Sequence, residues 1–175
     1  MKIINDELTI RSATKADADL LCTWWADGKV MAHAGFPNGL KTDKSKLESQ
    51  LMKQSQMSQR MILDYKNESI GEMSYRLEEG VAEIGIKISN FDYQNRGLGK
   101  VYLSMLIDYL FKEIKVEKII LDTNLDNKRA QHVYEELGFK KVAVNVDAWK
   151  DQLGKLQSSV DYELKRSMYE TLSCE

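Results

Sequence analysis

The run Gln94-Asn95-Arg96-Gly97-Leu98-Gly99-Lys100 sets two glycines and two cations where one hydrophobic rhythm gives way to another. Upstream, Ile84, Ile86 and Ile88 alternate as in a strand. Downstream, Leu98, Val101, Tyr102, Met105, Leu106, Tyr109 and Leu110 keep helical spacing. A loop that opens a helix offers backbone N–H groups with no intrahelical partner, and the helix dipole adds positive potential at the same point. An anion fits there. Glycine admits a close backbone approach, and Arg96 and Lys100 add charged donors, a combination suited to a pyrophosphate. Two better-known phosphate loops do not match. A Walker loop needs a longer spacer before its Gly-Lys pair and a hydroxyl where Val101 stands, and a dinucleotide-binding turn needs a third glycine where Tyr102 stands. On this run alone, a glycine-rich helix start that binds nothing is an equal reading.

The second cluster is Asn127-Lys128-Arg129-Ala130-Gln131-His132-Val133-Tyr134-Glu135-Glu136-Leu137-Gly138-Phe139. Taken with the glutamine-x-x-glycine-x-glycine loop and the strand between them, its spacing of asparagine, alanine, tyrosine and glycine-phenylalanine resembles the GNAT superfamily of acetyl-coenzyme A-dependent N-acetyltransferases. The resemblance is clear over residues 84–146, and the order of elements on either side fits a domain of that family. The N-terminal half, with its early Leu8-Thr9-Ile10-Arg11 strand and a helix over 17–25, looks most like the branch containing ribosomal-protein N-terminal and aminoglycoside 6′-N-acetyltransferases.

That resemblance implies an enzyme that moves an acetyl group from acetyl-CoA to a primary amine by direct attack in a ternary complex. Gln94, Asn95, Arg96, Gly97, Leu98, Gly99 and Lys100 would cradle the coenzyme's pyrophosphate. Ile86 and Ile88, on the family's fourth strand, would lie along the pantetheine arm, and Asn127 would bond it. Tyr134 would protonate the departing thiolate, since an unperturbed tyrosine pKa of about 10 keeps the hydroxyl protonated at neutral pH. The residues by themselves leave alternatives open. Tyr134 shares an apolar face with Ala130 and Val133, as a core tyrosine would, and Asn127 is equally a helix cap.

Members of the family often deprotonate the amine through a carboxylate acting by way of ordered water. Glu83, opposite Ile84 on its strand, and Asp122, on the next strand near the end where the resemblance implies that the two strands splay apart, both qualify; each is also readable as a solvated strand residue or half of an ion pair. For the acceptor pocket the family geometry points to Trp25, His33, Phe36 and Glu72, with Trp24 more in keeping with the core. An aminoglycoside, a polyamine, a small metabolite amine and a protein N-terminus all fit as acceptor. No metal is expected, because His33 has no ligand partners nearby in sequence and His132 reads as a solvated helix residue. Two other functions stay in play: an acyl-CoA-binding module of the same fold without turnover, and a protein-interaction domain in which Gly97 and Gly99 are only structural.

The elements that must position these residues read as a mixed α/β domain spanning 1–175. The first strand is Leu8–Ser12, followed by a helix capped by Thr14 with Asp17 three residues on. A Gly/Pro loop over 28–41 leads to a helix over 42–56. Strands over 61–65, 70–77 and Val81–Ile88 form an antiparallel meander with turns at Lys66-Asn67-Glu68-Ser69 and Glu78-Glu79-Gly80. A helix over 98–113, a buried strand over 117–123 and a helix over 128–137 follow. Val142, Val144 and Val146 mark a further strand, Val160, Tyr162 and Leu164 the last, and the polar stretch 147–159 reads as a long connection between them. The resemblance adds a central, mostly antiparallel twisted sheet of about seven strands, helices on both faces and a splayed fourth and fifth strand, here Val81–Ile88 and 117–123.

Composition agrees with an ordered globule, with 43% hydrophobic and 30% charged residues and no low-complexity tract. A formal charge of −2 gives no drive toward nucleic acid or anionic membrane. There is no apolar leader and no run long enough to span a bilayer, so a cytoplasmic monomer or homodimer is expected. Cys22 and Cys174 show neither metal spacing nor a disulfide framework.

Overall fold

The strands are β1 (Lys2–Asn5), β2 (Leu8–Ser12), β3 (Ser58–Tyr65), β4 (Glu68–Glu78), β5 (Val81–Ile88), β6 (Lys118–Asn124), β7 (Lys140–Lys150) and β8 (Leu156–Lys165) in the computed structural model, which describes residues 1–172. They hydrogen-bond in the order β1-β2-β3-β4-β5-β6-β8-β7. The helices are α1 (Ala18–Ala26), α2 (Gly28–Met31), α3 (Lys44–Met52), α4 (Leu98–Tyr109), α5 (Lys128–Glu136) and α6 (Arg166–Leu172). The class is mixed α/β with a mostly antiparallel sheet, as expected, but the sheet has eight strands rather than about seven. The additional one is β1, which pairs with β2 from Lys2↔Arg11 to Asn5↔Leu8 around a turn at Asp6, whose φ is 51°. Cys174 lies outside the described residues.

The fold divides into two compact units, each assembled from separate stretches of chain. One comprises Met1–Ala13, Gln54–Leu121 and the described residues from Glu163 on. Its meander is set by two-residue turns. Lys66 and Asn67 (φ 51° and 66°) join β3 to β4, and Glu79 and Gly80 (φ 47° and 79°) join β4 to β5. Two consecutive left-handed residues match the twist of a hairpin, so β4 begins at Glu68, inside the stretch read as turn. Met61, Leu63, Ile70 and Met73 are buried from the sheet, and Tyr102, Leu103, Leu106 and Leu110 from α4 and the turn after it. A register shift at Leu63/Asp64 is met by the Tyr102 hydroxyl, which donates to the Asp64 carbonyl at 2.7 Å. The α-helical part of the expected 98–113 helix ends at Tyr109, and Leu110–Ile114 forms a π turn closed by Lys115 at φ 62°.

The other unit comprises Thr14–Lys53 and Asp122–Tyr162. Asp17 closes the first helical turn by accepting from the Thr14 N–H at 2.7 Å and hydroxyl at 3.0 Å. Asp43 accepts from the Lys46 N–H, so α3 starts at Lys44 rather than 42 and ends at Met52. The largest departure from the sequence reading is at 147–159, which is no long connection. β7 runs on to Lys150, β8 begins at Leu156, and a tight turn joins them, with the Asp151 carboxylate accepting from the N–H groups of Leu153 (2.9 Å) and Lys155 (3.0 Å).

Buried tyrosines give the fold an alkaline limit. Burial pushes the Tyr75 and Tyr134 hydroxyls up to about 12 and raises those of Tyr102 and Tyr162 as well. In the unfolded chain each ionises at about 10, so the stability they contribute is whole below about pH 10 and is lost as pH rises through the folded values. Urea unfolding is expected to give the same midpoint at pH 8 and 9 and a lower one by about pH 11. A midpoint unchanged at that pH would mean that these rings ionise freely within the fold.

Candidate active site

β5 carries the first set of candidate residues, and its pairing leaves an open edge. β4 holds it along its whole length, from Glu78↔Val81 to Gly71↔Ile88. β6 pairs with it in parallel only at Val81↔Lys118, Ala82↔Ile119 and Glu83↔Ile120. Among the described residues, Ile84 to Ile88 therefore have no register partner in β6. β5 and β6 are the strands that the resemblance assigns as fourth and fifth, renumbered by the presence of β1, and the short pairing agrees with the expected splay.

The loop that follows is fastened back onto this strand. Ser89 and Asn90 donate backbone N–H groups to the Ile70 carbonyl at 2.9 and 3.0 Å, and the Gln94 amide donates to the Ile88 carbonyl at 2.9 Å. Gln94 thus anchors the loop, a role that sequence spacing does not reveal. Asn95 has φ 58°, and Gly97, at φ 74°, is the residue that caps α4. A side chain at 97 would be strained by that backbone, yet among the described residues a Cβ built there meets no atom within 4 Å beyond its chain neighbours, and one at Gly99, its own helix turn aside, meets only Ile88 Cγ1 at 4.0 Å. Open space over the first N–H groups of a twelve-residue helix is what a phosphate requires. The residues present therefore fit a pyrophosphate. Leu98 and Lys100 lie in the first turn of α4, both half-buried, and Arg96 is exposed. Its guanidinium lies 5.2 Å from the ring centre of Tyr93 and 5.8 Å from that of Tyr65, neither of which the sequence marks as a site residue.

Asn127 and Tyr134 are both set by α5. Asn127 is the N-cap, its side-chain oxygen accepting from the Ala130 N–H at 3.2 Å. The buried face of α5 is Gln131 and Tyr134, whereas Ala130, Val133 and Leu137 are only half-buried. Gln131 earns its burial by donating to the Leu125 carbonyl at 2.8 Å. Tyr134 packs edge-on to Tyr162 (centroids 5.7 Å, 69°) and tilted against Phe139 (6.1 Å, 57°). Burial, and then the charge of Asp122, push its hydroxyl up to about 12. Asp122 is exposed on β6.

The remaining carboxylates occupy one face of β4 and β5, where the register sets Glu72 against Lys87 and Arg76 against Glu83. Glu83 is exposed and pairs with Arg76 at 2.8 Å. Glu72 is 2% exposed, held by Arg60 at 2.5 Å and Lys87 at 3.3 Å. A buried carboxylate between two cations fixes the polar face of the strands, and nothing in the alternation of β4 signals it.

Trp24 and Trp25 are equally buried, at 9% and 8%, so Trp25 is as much a core residue as Trp24. His33 is exposed on a short turn and Phe36 is half-buried, its N–H donating to the Met31 carbonyl. This loop is held by the β7–β8 turn. Gln152 donates its backbone N–H to the Gly35 carbonyl at 2.8 Å, and its side chain accepts from Asn38 N–H at 2.9 Å and donates to the Gly39 carbonyl at 3.1 Å. Trp149 lies where a Gly35 side chain would be, 2.4 Å from an added Cβ. The expectation of a long polar connection over 147–159 gave no sign of either contact. Among the described residues, no three His, Cys, Asp or Glu side chains converge to hold a metal, and no helix is long and apolar enough to cross a membrane.

Comparison with known proteins gives a consistent picture. A sequence model of the acetyltransferase (GNAT) domain matches residues 7–140. An uncharacterized N-acetyltransferase, p20, of Bacillus licheniformis is 22% identical over 147 residues, covering 79% of this chain and 82% of its own. Among solved structures, the spermidine N-acetyltransferase of Vibrio cholerae, in complex with CoA and spermine, superposes with a TM-score of 0.84 at 22% identity, covering 95% of this chain and 99% of that one. A GNAT-family acetyltransferase of Bacillus anthracis gives 0.78 at 21% identity, over 95% and 99%. At these identities the structures show the fold alone. The ribosomal-protein and aminoglycoside branch is not singled out.

Proposed function

Because the chain belongs to the GNAT acetyltransferase family, we propose that it moves an acetyl group from acetyl-CoA to a primary amine by direct attack in a ternary complex. The observation that carries this reading is the 94–100 loop, with left-handed Gly97 capping α4 under open space. When bound, acetyl-CoA supplies a thioester carbonyl for the amine and a thiolate that leaves. The loop N–H groups, with Arg96 and Lys100, hold the pyrophosphate, and β5 at Ile86 and Ile88 offers its edge to the pantetheine arm. Asn127 keeps its cap and orients the start of α5.

Tyr134 serves the leaving sulfur. A hydroxyl pushed up to about 12 stays protonated at neutral pH, so the donor is always present. Full transfer to a thiolate in water, whose acid has a pKa of about 8.5, is uphill by roughly 5 kcal/mol. Burial penalises a thiolate as it does a phenolate, which narrows that gap. Tyr134 therefore acts first as a hydrogen-bond donor to developing charge and completes the transfer as the carbon–sulfur bond breaks.

Glu83, with Asp122 next, is proposed to take the amine proton through water. Glu83→Gln is expected to depress kcat/KM most at low pH, where few acceptor amines are already neutral, and to recover partly as pH rises. A parallel loss at every pH would instead make Glu83 an acceptor-positioning residue, and no loss would transfer the role to Asp122, tested as Asp122→Asn.

The acceptor is a small-molecule amine or a protein N-terminus, the setting cytoplasmic, the protein a monomer or homodimer. Thiol release by the purified protein, assayed across polyamines, aminoglycosides, small metabolite amines and peptide N-termini, tests the reading: release that depends on one class of amine supports it, and release with none contradicts it.

A further inference from the structure

We propose that Tyr65 and Tyr93 are positioning residues that hold Arg96 in place for the coenzyme's phosphates, an inference that rests on the coenzyme reading of the 94–100 loop. An exposed arginine ordinarily samples many rotamers, and binding an anion must freeze them. Here that freedom is already restricted. The two rings stand edge to face, centroids 5.7 Å apart at 69°, and the Arg96 guanidinium lies over both. A guanidinium stacks on aromatic faces while its edge N–H groups still point outward to acceptors.

The corner is itself anchored. Tyr65 ends β3 and pairs across the hairpin with Glu68, the first residue of β4. The Tyr93 hydroxyl donates to one Glu68 oxygen at 2.5 Å, and the Asn90 amide donates to the other at 3.1 Å. Glu68 thus ties the short turn Phe91–Tyr93, just ahead of the loop, to the β3–β4 hairpin. Arg96 sits between Asn95 and Gly97, both left-handed, so the backbone and the rings fix it from two sides.

The test is calorimetric titration with acetyl-CoA, with melting temperatures recorded for every variant. Tyr93→Leu is expected to weaken binding about fivefold, the scale of an exposed cation–π contact, and to raise KM for acetyl-CoA without changing kcat. Tyr93→Phe, which keeps the ring, is expected to retain affinity within about twofold, since stacking does not need the hydroxyl. The decisive comparison is the Arg96→Ala background, where Tyr93→Leu should cost nothing further. Tyr65→Leu should behave as Tyr93→Leu does, and decides the matter if Tyr93→Leu does not fold. The same loss with and without Arg96, or no loss from either leucine variant, overturns the proposal. A parent protein that binds no acetyl-CoA overturns the coenzyme reading beneath it.

Discussion

Replacing Gly97 with valine is expected to abolish acetyl-CoA binding while the fold stands. Gly97 has φ 74° and caps α4, and among the described residues a Cβ placed there meets no atom within 4 Å beyond its chain neighbours. The Cβ itself therefore meets no such clash, and the local cost includes the left-handed backbone, about 1–2 kcal/mol for a residue with a side chain. The added isopropyl group instead fills the space over the loop N–H groups. Losing two hydrogen bonds to a charged phosphate, each about 1.5–3 kcal/mol, weakens binding by roughly 10²-fold or more. Arg96→Ala is expected to weaken it less, because the backbone donors remain. Calorimetric titration with acetyl-CoA reads the effect, alongside thermal melting to confirm the fold. Unchanged affinity would show that the loop is only a helix start.

Tyr134→Phe is expected to lower kcat by roughly 10²-fold, within the usual contribution of a positioned acid, and to leave coenzyme affinity nearly unchanged. The substitution removes one oxygen and keeps the ring against Tyr162 and Phe139, so packing is preserved. Because the hydroxyl is held at about 12, Tyr134 should add no descending limb to the kcat profile below about pH 11. A rate within about threefold of the parent falls far short of such a contribution and would make Tyr134 a packing residue. A descending limb near pH 9 to 10 that vanishes in Tyr134→Phe would mean that its hydroxyl ionises as an exposed one does.

Much of this was legible in the sequence because local chemistry governs it. β2 and β5 fall where alternation places them, α4 starts at Leu98 as its spacing requires, and Thr14 and Asp17 close the turn expected of them. The loop 94–100 and the helix bearing Asn127 and Tyr134 were readable for the same reason: glycines, caps and period are short-range signals. What was hidden depends on partners distant in sequence. β1 is four residues with no alternation to betray it, and it exists through pairing with β2. The polar stretch 147–159 forms a hairpin because Asp151 closes a tight turn and Gln152 finds the Gly35 loop, contacts that polarity alone does not announce. Glu72 is buried because Arg60 and Lys87 flank it, and Tyr65 reaches Arg96 only once the hairpin is folded.

The fate of the acetyl group is the most direct measurement. Purified protein is incubated with acetyl-CoA labelled isotopically in the acetyl carbons and with the amine panel, and the acceptors are analysed by mass spectrometry while released thiol is counted. Label should appear on the nitrogen of one class of amine in an amount equal to the thiol released, and at a rate that Tyr134→Phe depresses. Coenzyme that binds while its label reaches no amine would contradict an N-acetyltransferase and leave a binding module of the same fold.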